Sequence, residues 1–349
     1  MEKKTDGGTY FAAMNTGDGF KSYFSEIFGS LKQLYIIKGG PGTGKSRFMK
    51  EVAYEAERKG FTVEKYLCSS DPTSLDGIII PALSLGIIDG TAPHTYEPFL
   101  TGAKDNIIDL GQFWDTKALQ NEISVIKEIS RRKARLYGGI YAYLKAIQSI
   151  DTIIDGTVKE ALDVNKLSLI AKKHADALFK SKIYEKKIKI RSAISDSGII
   201  TLNCFAKSAK KRFALLDVCG TAGFFLSALL KETDKKGISC AVSFSPFSPT
   251  LPDALYYPDS DTAFYIGSES DFEESSINTR RFISDESLRP YKPKIRALKR
   301  LKAEILSEMF IDFSSVKRLH GELEKIYGRA MDFEAKESFA NKFIPSLFE

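Results

Sequence analysis

The sequence predicts an α/β fold built twice along one chain. Three observations carry that reading. A glycine-rich loop lies between a strand pattern and a helical pattern within residues 34–58. Much of that pattern returns 177 residues later. Each copy is followed by a long stretch of helical periodicity.

The loop reads Lys38-Gly39-Gly40-Pro41-Gly42-Thr43-Gly44-Lys45-Ser46 and fits G-x-x-x-x-G-K-[ST] from Gly39 to Ser46. Leu34-Tyr35-Ile36-Ile37 before it is an apolar, β-branched run, expected as a buried strand. Lys45 to about Arg58 is expected as a helix with Phe48, Met49, Val52, Ala53 and Ala56 on one face. Glycines let backbone N–H groups turn inward around a polyphosphate, and the helix N-terminus adds partial positive charge. Lys45 reaches the β- and γ-phosphates, and the Ser46 hydroxyl is a candidate Mg²⁺ ligand. Gly39, Gly40, Pro41, Gly42, Thr43, Gly44, Lys45, Ser46 and Arg47 form the candidate nucleotide-binding set. The fold expected around such a loop is that of a P-loop NTPase with a parallel sheet.

Upstream, Tyr10–Met14 is expected as a strand. Residues 15–19 form a turn able to cap a helix carrying Phe20, Tyr23, Phe24, Ile27 and Phe28. Downstream, Lys59-Gly60 ends the loop helix and 61–68 is a second strand. Asp71 follows at a strand end, where it can meet a ligand or open a turn with Pro72. Asp76 can cap a short helix. Leu83 to Asp89 is expected as a third strand ending in an acid, and Asp89 is the second candidate Mg²⁺ ligand. Gly90 follows where fast hydrolytic motors commonly carry glutamate. That favours a slow hydrolase, a kinase or a switch. His94 is either a γ-phosphate sensor or a plain loop residue.

From Asp115 to about 184 the apolar spacing becomes helical, with Gly138-Gly139 expected to kink the helix and Asp155-Gly156 to break it. The recurrence matches Gly60 to Gly237 and Pro81 to Pro258 (237−60 and 258−81, both 177). Phe48, Met49, Val52 and Ala53 meet Phe225, Leu226, Leu229 and Leu230. Long helices are expected again from Ser287 to Phe310 and from Ser314 to about Ala340. The chemistry does not recur. The second loop is Asp217-Val218-Cys219-Gly220-Thr221-Ala222-Gly223-Phe224-Phe225, with Ala222 or Phe224 in place of lysine and Ile266 in place of Asp89. Asp217 would repel phosphate and the phenylalanines would fill its space. The expected organisation is a P-loop domain at 1–188, with a helical insertion at about 115–184, and a degenerate copy at 189–349.

The chain has 349 residues, 43% hydrophobic and 28% charged, as expected of a soluble globular protein. Its longest apolar stretch, 78–88, contains Pro81 and Gly86 and is too short to span a bilayer. With no signal-peptide core at the start, a cytoplasmic location is expected and no membrane partner. Cys68, Cys204, Cys219 and Cys240 lack C-x-x-C spacing and are expected as free thiols. Net charge is +6, and residues 127–191 hold 16 basic against 7 acidic groups. That basic helical region is either a solvated face or a surface for a protein or nucleic-acid partner.

Three blocks, Lys38–Ser46, Cys68–Gly77 and Asp89–His94, resemble an uncharacterised family of bacterial proteins, mostly Gram-positive, with two ATPase-like P-loop domains in tandem. The resemblance implies ATP or another nucleotide such as GTP as ligand, with Mg²⁺, and supplies no known reaction. Family members often keep a phosphate loop in the second half; this chain departs there. The expected activity is slow hydrolysis or phosphoryl transfer at one site. Lys45 and Asp89 would be its main chemical groups, and Asp71 a candidate for orienting water or acceptor.

Overall fold

The structure, a computed structural model, describes residues 6–92, 95–267 and 275–349. The first half runs β1 (Asp6–Phe11), β2 (Ala13–Thr16), β3 (Gly19–Ser22), α1 (Phe24–Phe28), β4 (Gln33–Lys38), α2 (Lys45–Arg58), β5 (Val63–Leu67), β6 (Leu75–Ile80), β7 (Leu85–Asp89) and β8 (Asp105–Asp109). The helices α3 (Thr116–Asn121), α4 (Ile123–Glu160) and α5 (Val164–Asp176) follow. The second half runs β9 (Lys186–Ile188), β10 (Ser192–Ser195), β11 (Gly198–Thr201), α6 (Cys204–Ser208), β12 (Lys211–Leu216), α7 (Thr221–Lys235), β13 (Cys240–Phe244), β14 (Pro252–Tyr257), β15 (Thr262–Gly267) and β16 (Ser276–Asn278). It ends in α8 (Asp285–Leu288), α9 (Lys292–Arg329) and α10 (Phe333–Ser346).

The class is α/β, but the sheets are mixed rather than parallel. One has the order β1-β5-β6-β7-β4-β8, the other β9-β13-β14-β15-β12-β16. In each, the third strand of that order runs antiparallel to both neighbours and the other pairings are parallel. The apolar run 78–88 is therefore a hairpin, β6 to β7, turned through a 3₁₀ segment at Pro81–Leu83. All six β6 residues are buried, so the strand lacks the alternation that would have marked it in the sequence. Asp76 lies inside β6 and caps no helix. Phe20 lies in β3, a hairpin partner of β2, and the helix it was expected to join starts only at Phe24.

The inner faces of the two sheets share one buried cluster with α1 and α6, which takes in Phe24 and Phe28 on one side and Ala214, Ala254 and Tyr265 on the other. The outer faces are covered by α2 and α7. The helical segments then cross over. α5 follows the first sheet in sequence but packs on α7, with Leu167 and Ala171 against Phe225 and Leu226. α10 follows the second sheet but packs on α2, with Ala340 and Ile344 against Phe48 and Val52. Packing thus departs from chain order, and β9, which lies before residue 189, pairs in the second sheet.

Crossing is possible because α4 and α9 form an antiparallel pair. Lys133 meets His320 while Asp151 meets Lys302, so one helix ascends as the other descends. α4 continues through both places where a kink or break was expected. A β-carbon built on Gly139 would lie 3.1 Å from an Asp312 carboxylate oxygen, so this glycine serves close helix approach. Beyond Asp155-Gly156 the buried stripe Ile147, Ile150, Ile154, Val158 keeps helical period, which outweighs the roughly 1 kcal/mol cost of a helical glycine. α9 likewise runs unbroken from 292 to 329, across the gap expected near 311–313, because Met309, Phe313 and Val316 pack on Ile140 and Leu144.

Candidate nucleotide site

The loop between β4 and α2 spans residues 39–44, and Lys45 is the first helical residue. Gly42 and Gly44 have φ of +72° and +81°, where a β-carbon is strained. Gly44 caps α2 without a side-chain bond, which leaves the first helical N–H groups for a ligand. Thr43 is buried, and its Oγ1 donates to Gly40 O at 3.0 Å, closing the loop on itself.

Lys45 Nζ donates to Gly39 O and Gly40 O, each at 2.9 Å, and lies 3.6 Å from Asp89 Oδ2. Asp89 ends β7, which pairs in parallel with β4 and sets Asp89 beside Ile37. Its Oδ1 accepts from Thr91 N at 2.9 Å and from the Thr91 hydroxyl. Its Oδ2 is directed at the loop lysine. Ser46 Oγ accepts from Leu75 N at 2.9 Å, which leaves its second lone pair for a metal.

No group of three or more His, Cys, Asp or Glu among the described residues forms a metal cage. Mg²⁺ needs no such cage, since it takes one or two protein oxygens and completes its shell with phosphate and water. Ser46 and Asp89 are the residues that would hold it.

The other expected contacts are distributed differently. Lys38 ties Gly90 O, Tyr96 O and Glu97. Arg47 is exposed on α2 and bonds Glu51 at 2.9 Å and Glu337 at 3.0 Å. Asp71 is held in its own turn by Thr73 N, Thr73 Oγ1 and Ser74 Oγ. Burial pushes its carboxyl up, but these bonds prevail and hold it below the usual range. It is therefore ionised and half-engaged as a turn residue. His94 lies outside the described residues.

Nothing in the sequence pattern marks the roof over this loop. A β-carbon on Gly40 would touch Tyr327 and Trp114, and one on Gly42 would lie 2.7 Å from Glu324 O. Trp114 Nε1 is buried with no hydrogen-bond partner among the described residues. His320 Nδ1 lies 2.9 Å from Lys133 Nζ. Burial, then the nearby charges of Lys133 and Lys45, lower the His320 pKa to about 4, so the ring is neutral. Burial and the Asp71 charge raise Glu324. Lys336 of α10, 2% exposed, reaches Gly44. His320, Glu324, Tyr327 and Lys336 come from α9 and α10, helices whose periodicity shows a buried face but not its partner.

Part of the basic run 127–191 is turned inward. Lys189 pairs with Glu64 and Arg191 is buried beside Asp253. Lys127, Arg131, Arg132 and Arg135 remain exposed on α4.

The second loop has only four residues, 217–220, between β12 and α7. Gly220 caps the helix at φ +81°, as Gly44 does. Counted from the helix starts Thr221 stands where Lys45 does, and counted from the buried faces, Phe48 against Phe225, Ala222 does; neither is a lysine. Asp217 accepts from Gly220 N at 2.9 Å and Ala222 N at 2.8 Å, so a carboxylate of the chain itself fills the N–H groups. Phe225 packs in the core against Phe282 instead of filling the loop, and Phe224 lies under Lys159. All four cysteines are free thiols. No helix among the described residues is long and apolar enough to cross a membrane.

Comparison with protein-family models, curated proteins and solved structures finds no match to this chain.

Proposed function

We propose that the chain binds Mg²⁺ with a nucleoside triphosphate, ATP in the first instance and GTP as the alternative, in the loop 39–46. It hydrolyses the nucleotide slowly or transfers its γ-phosphoryl group. One observation carries this reading. Lys45 opens α2 beneath two positive-φ glycines, 3.6 Å from the acid that ends the neighbouring parallel strand. Backbone N–H groups and a cation converge there on one small volume, with an acid and a hydroxyl beside it for a metal. On this reading both halves are P-loop NTPase folds in tandem, the second degenerate. The shared strand order and the Asp217 carboxylate in the second loop support that.

In the reaction, the metal when bound offsets charge on the β- and γ-phosphates. Lys45 releases the two carbonyls it holds and swings its ammonium to the transferred group, where its charge is most effective as the bond to the leaving oxygen lengthens. Ser46 and Asp89 would hold the ion. Trp114, Tyr327 and the α9 backbone at Glu324 cover one side of the loop, in keeping with slow hydrolysis or with transfer to another acceptor.

A second reading is a nucleotide-gated switch for a protein or nucleic-acid partner. The backbone of α9 over Gly42 favours it, because a polyphosphate filling the loop presses on a helix of the arm. The exposed basic residues of α4 are the corresponding partner surface.

Phosphate release and phosphoryl transfer to candidate acceptors test the proposal, in wild type and Lys45→Ala. The expected result is a loss of at least about 100-fold in the variant, as for removal of one preorganised donor, with circular dichroism unchanged. Equal turnover in a folded variant overturns the site.

A further inference from the structure

We propose that Lys336, supplied by α10 from the far end of the chain, is a second phosphate-binding cation of the nucleotide site. It would clamp the polyphosphate against the N-terminus of α2. This rests on the reading of loop 39–46 as a nucleoside-triphosphate site.

Lys336 stands in the first turn of α10, which Asp332 caps by accepting from Ala335 N. Its side chain is buried, and a β-carbon built on Gly44 would lie 3.1 Å from its Nζ. Among the described residues the ammonium has neither a hydrogen-bond acceptor nor an ion-pair partner. An unpaired buried ammonium is costly. Its placement adds to that cost, since the positive end of α2 and the Arg47 charge stand nearby. The carboxylates that could neutralise it are Glu51 and Glu337, and both are bonded by Arg47. Burial accordingly lowers the Lys336 pKa despite those two acids. An anion at the N-terminus of α2 removes every one of these penalties at once.

The other half of the molecule provides an internal comparison. α4 and α9 begin 169 residues apart, as do α5 and α10 (292−123 and 333−164). The position matching Lys336 is Leu167, buried against Ala222 and Phe225 beside the loop filled by Asp217. The cation stands over the loop that has a lysine and an open set of N–H groups. Where the loop is closed by its own carboxylate, the same position is a hydrocarbon.

The test is titration of wild type, Lys336→Met and Lys336→Gln with Mg²⁺–ATP, inorganic tripolyphosphate and adenosine, with thermal melts of the free proteins. Wild type is expected to bind ATP and tripolyphosphate. Lys336→Met should bind both about 10- to 100-fold more weakly, as expected for loss of a charge-assisted contact. Its free-protein Tm should be unchanged or higher, because no ammonium is left buried. Equal affinity in wild type and the variants overturns the proposal. So does a weakened ATP affinity with tripolyphosphate unchanged, which would place Lys336 at the nucleoside. A lower Tm of the free Lys336→Met protein also overturns it, by making the residue structural. Failure of wild type to bind either polyphosphate overturns the nucleotide reading itself, which sets that failure apart from the failure of Lys336 alone.

Discussion

Asp89 illustrates how one side chain carries two tasks. One oxygen closes a turn on Thr91, and the other faces Lys45. A charge-neutral replacement keeps the turn acceptor and, on the proposed function, weakens the hold on Mg²⁺. Asp89→Asn is therefore expected to raise the Mg²⁺ concentration needed for half-maximal turnover by about tenfold or more, with little change in Tm. A Mg²⁺ titration at saturating nucleotide checks this; an unchanged midpoint would leave Asp89 as a turn residue only. The spacing of the pattern sets Lys45 and Ser46 at the start of α2. The partners of Asp71 and Arg47 were not legible, because which neighbours a polar side chain meets depends on rotamers and tertiary contacts; here they are Thr73 and Ser74, and Glu51 and Glu337.

At the scale of elements, the α4–α9 pair is held over the loop by an apolar stripe and by the Lys133–His320 contact. That contact requires a neutral imidazole, since Nδ1 accepts from the ammonium. The His320 pKa falls from 6.5 unfolded to about 4 folded. The contribution is thus full above pH 6.5 and is lost as pH falls toward 4. With the side chain 44% exposed, solvent screening holds the effect to about 1 kcal/mol. Denaturant melts between pH 7.5 and 4.5 should show this loss in wild type. His320→Gln, which cannot protonate, should lack that part of the slope. Parallel pH profiles would remove His320 from the balance. Helix existence was readable from 3.6-residue spacing, whereas continuity was not. Gly139 reads as a kink and Gly156 as a break in isolation, yet the helix runs on through both because burial continues on either side.

The whole molecule combines one open loop with one closed by Asp217, each roofed by a helical segment from the other half of the sequence. One tight Mg²⁺–nucleotide per chain is expected. Calorimetric titration should saturate near one site in wild type and lose that phase in Lys45→Ala. A second tight site that survives Lys45→Ala would show that Asp217 yields its N–H groups to phosphate. Truncating the chain before α10 should destabilise the first sheet rather than the second, since Phe48 and Val52 lose Ala340 and Ile344. Local protection from hydrogen exchange in α2 reads this directly; loss of protection in α7 instead would contradict the crossed packing.

By itself the sequence determined the α/β class, the loop, the helical segments and the absence of lysine from the second loop. These follow from nearest-neighbour chemistry: glycine at positive φ, apolar period, and a cation at a helix start. Only the tertiary structure decided the antiparallel strand within each sheet, because β6 is buried on both faces and shows no alternation. It alone also brought Lys336, Glu324 and Tyr327 to the loop. Periodicity marks which face of a helix avoids water, but hydrophobic burial has no direction and does not name the partner. The crossing of α5 and α10 was set by two 38-residue helices running past each other, a distance no local pattern can measure.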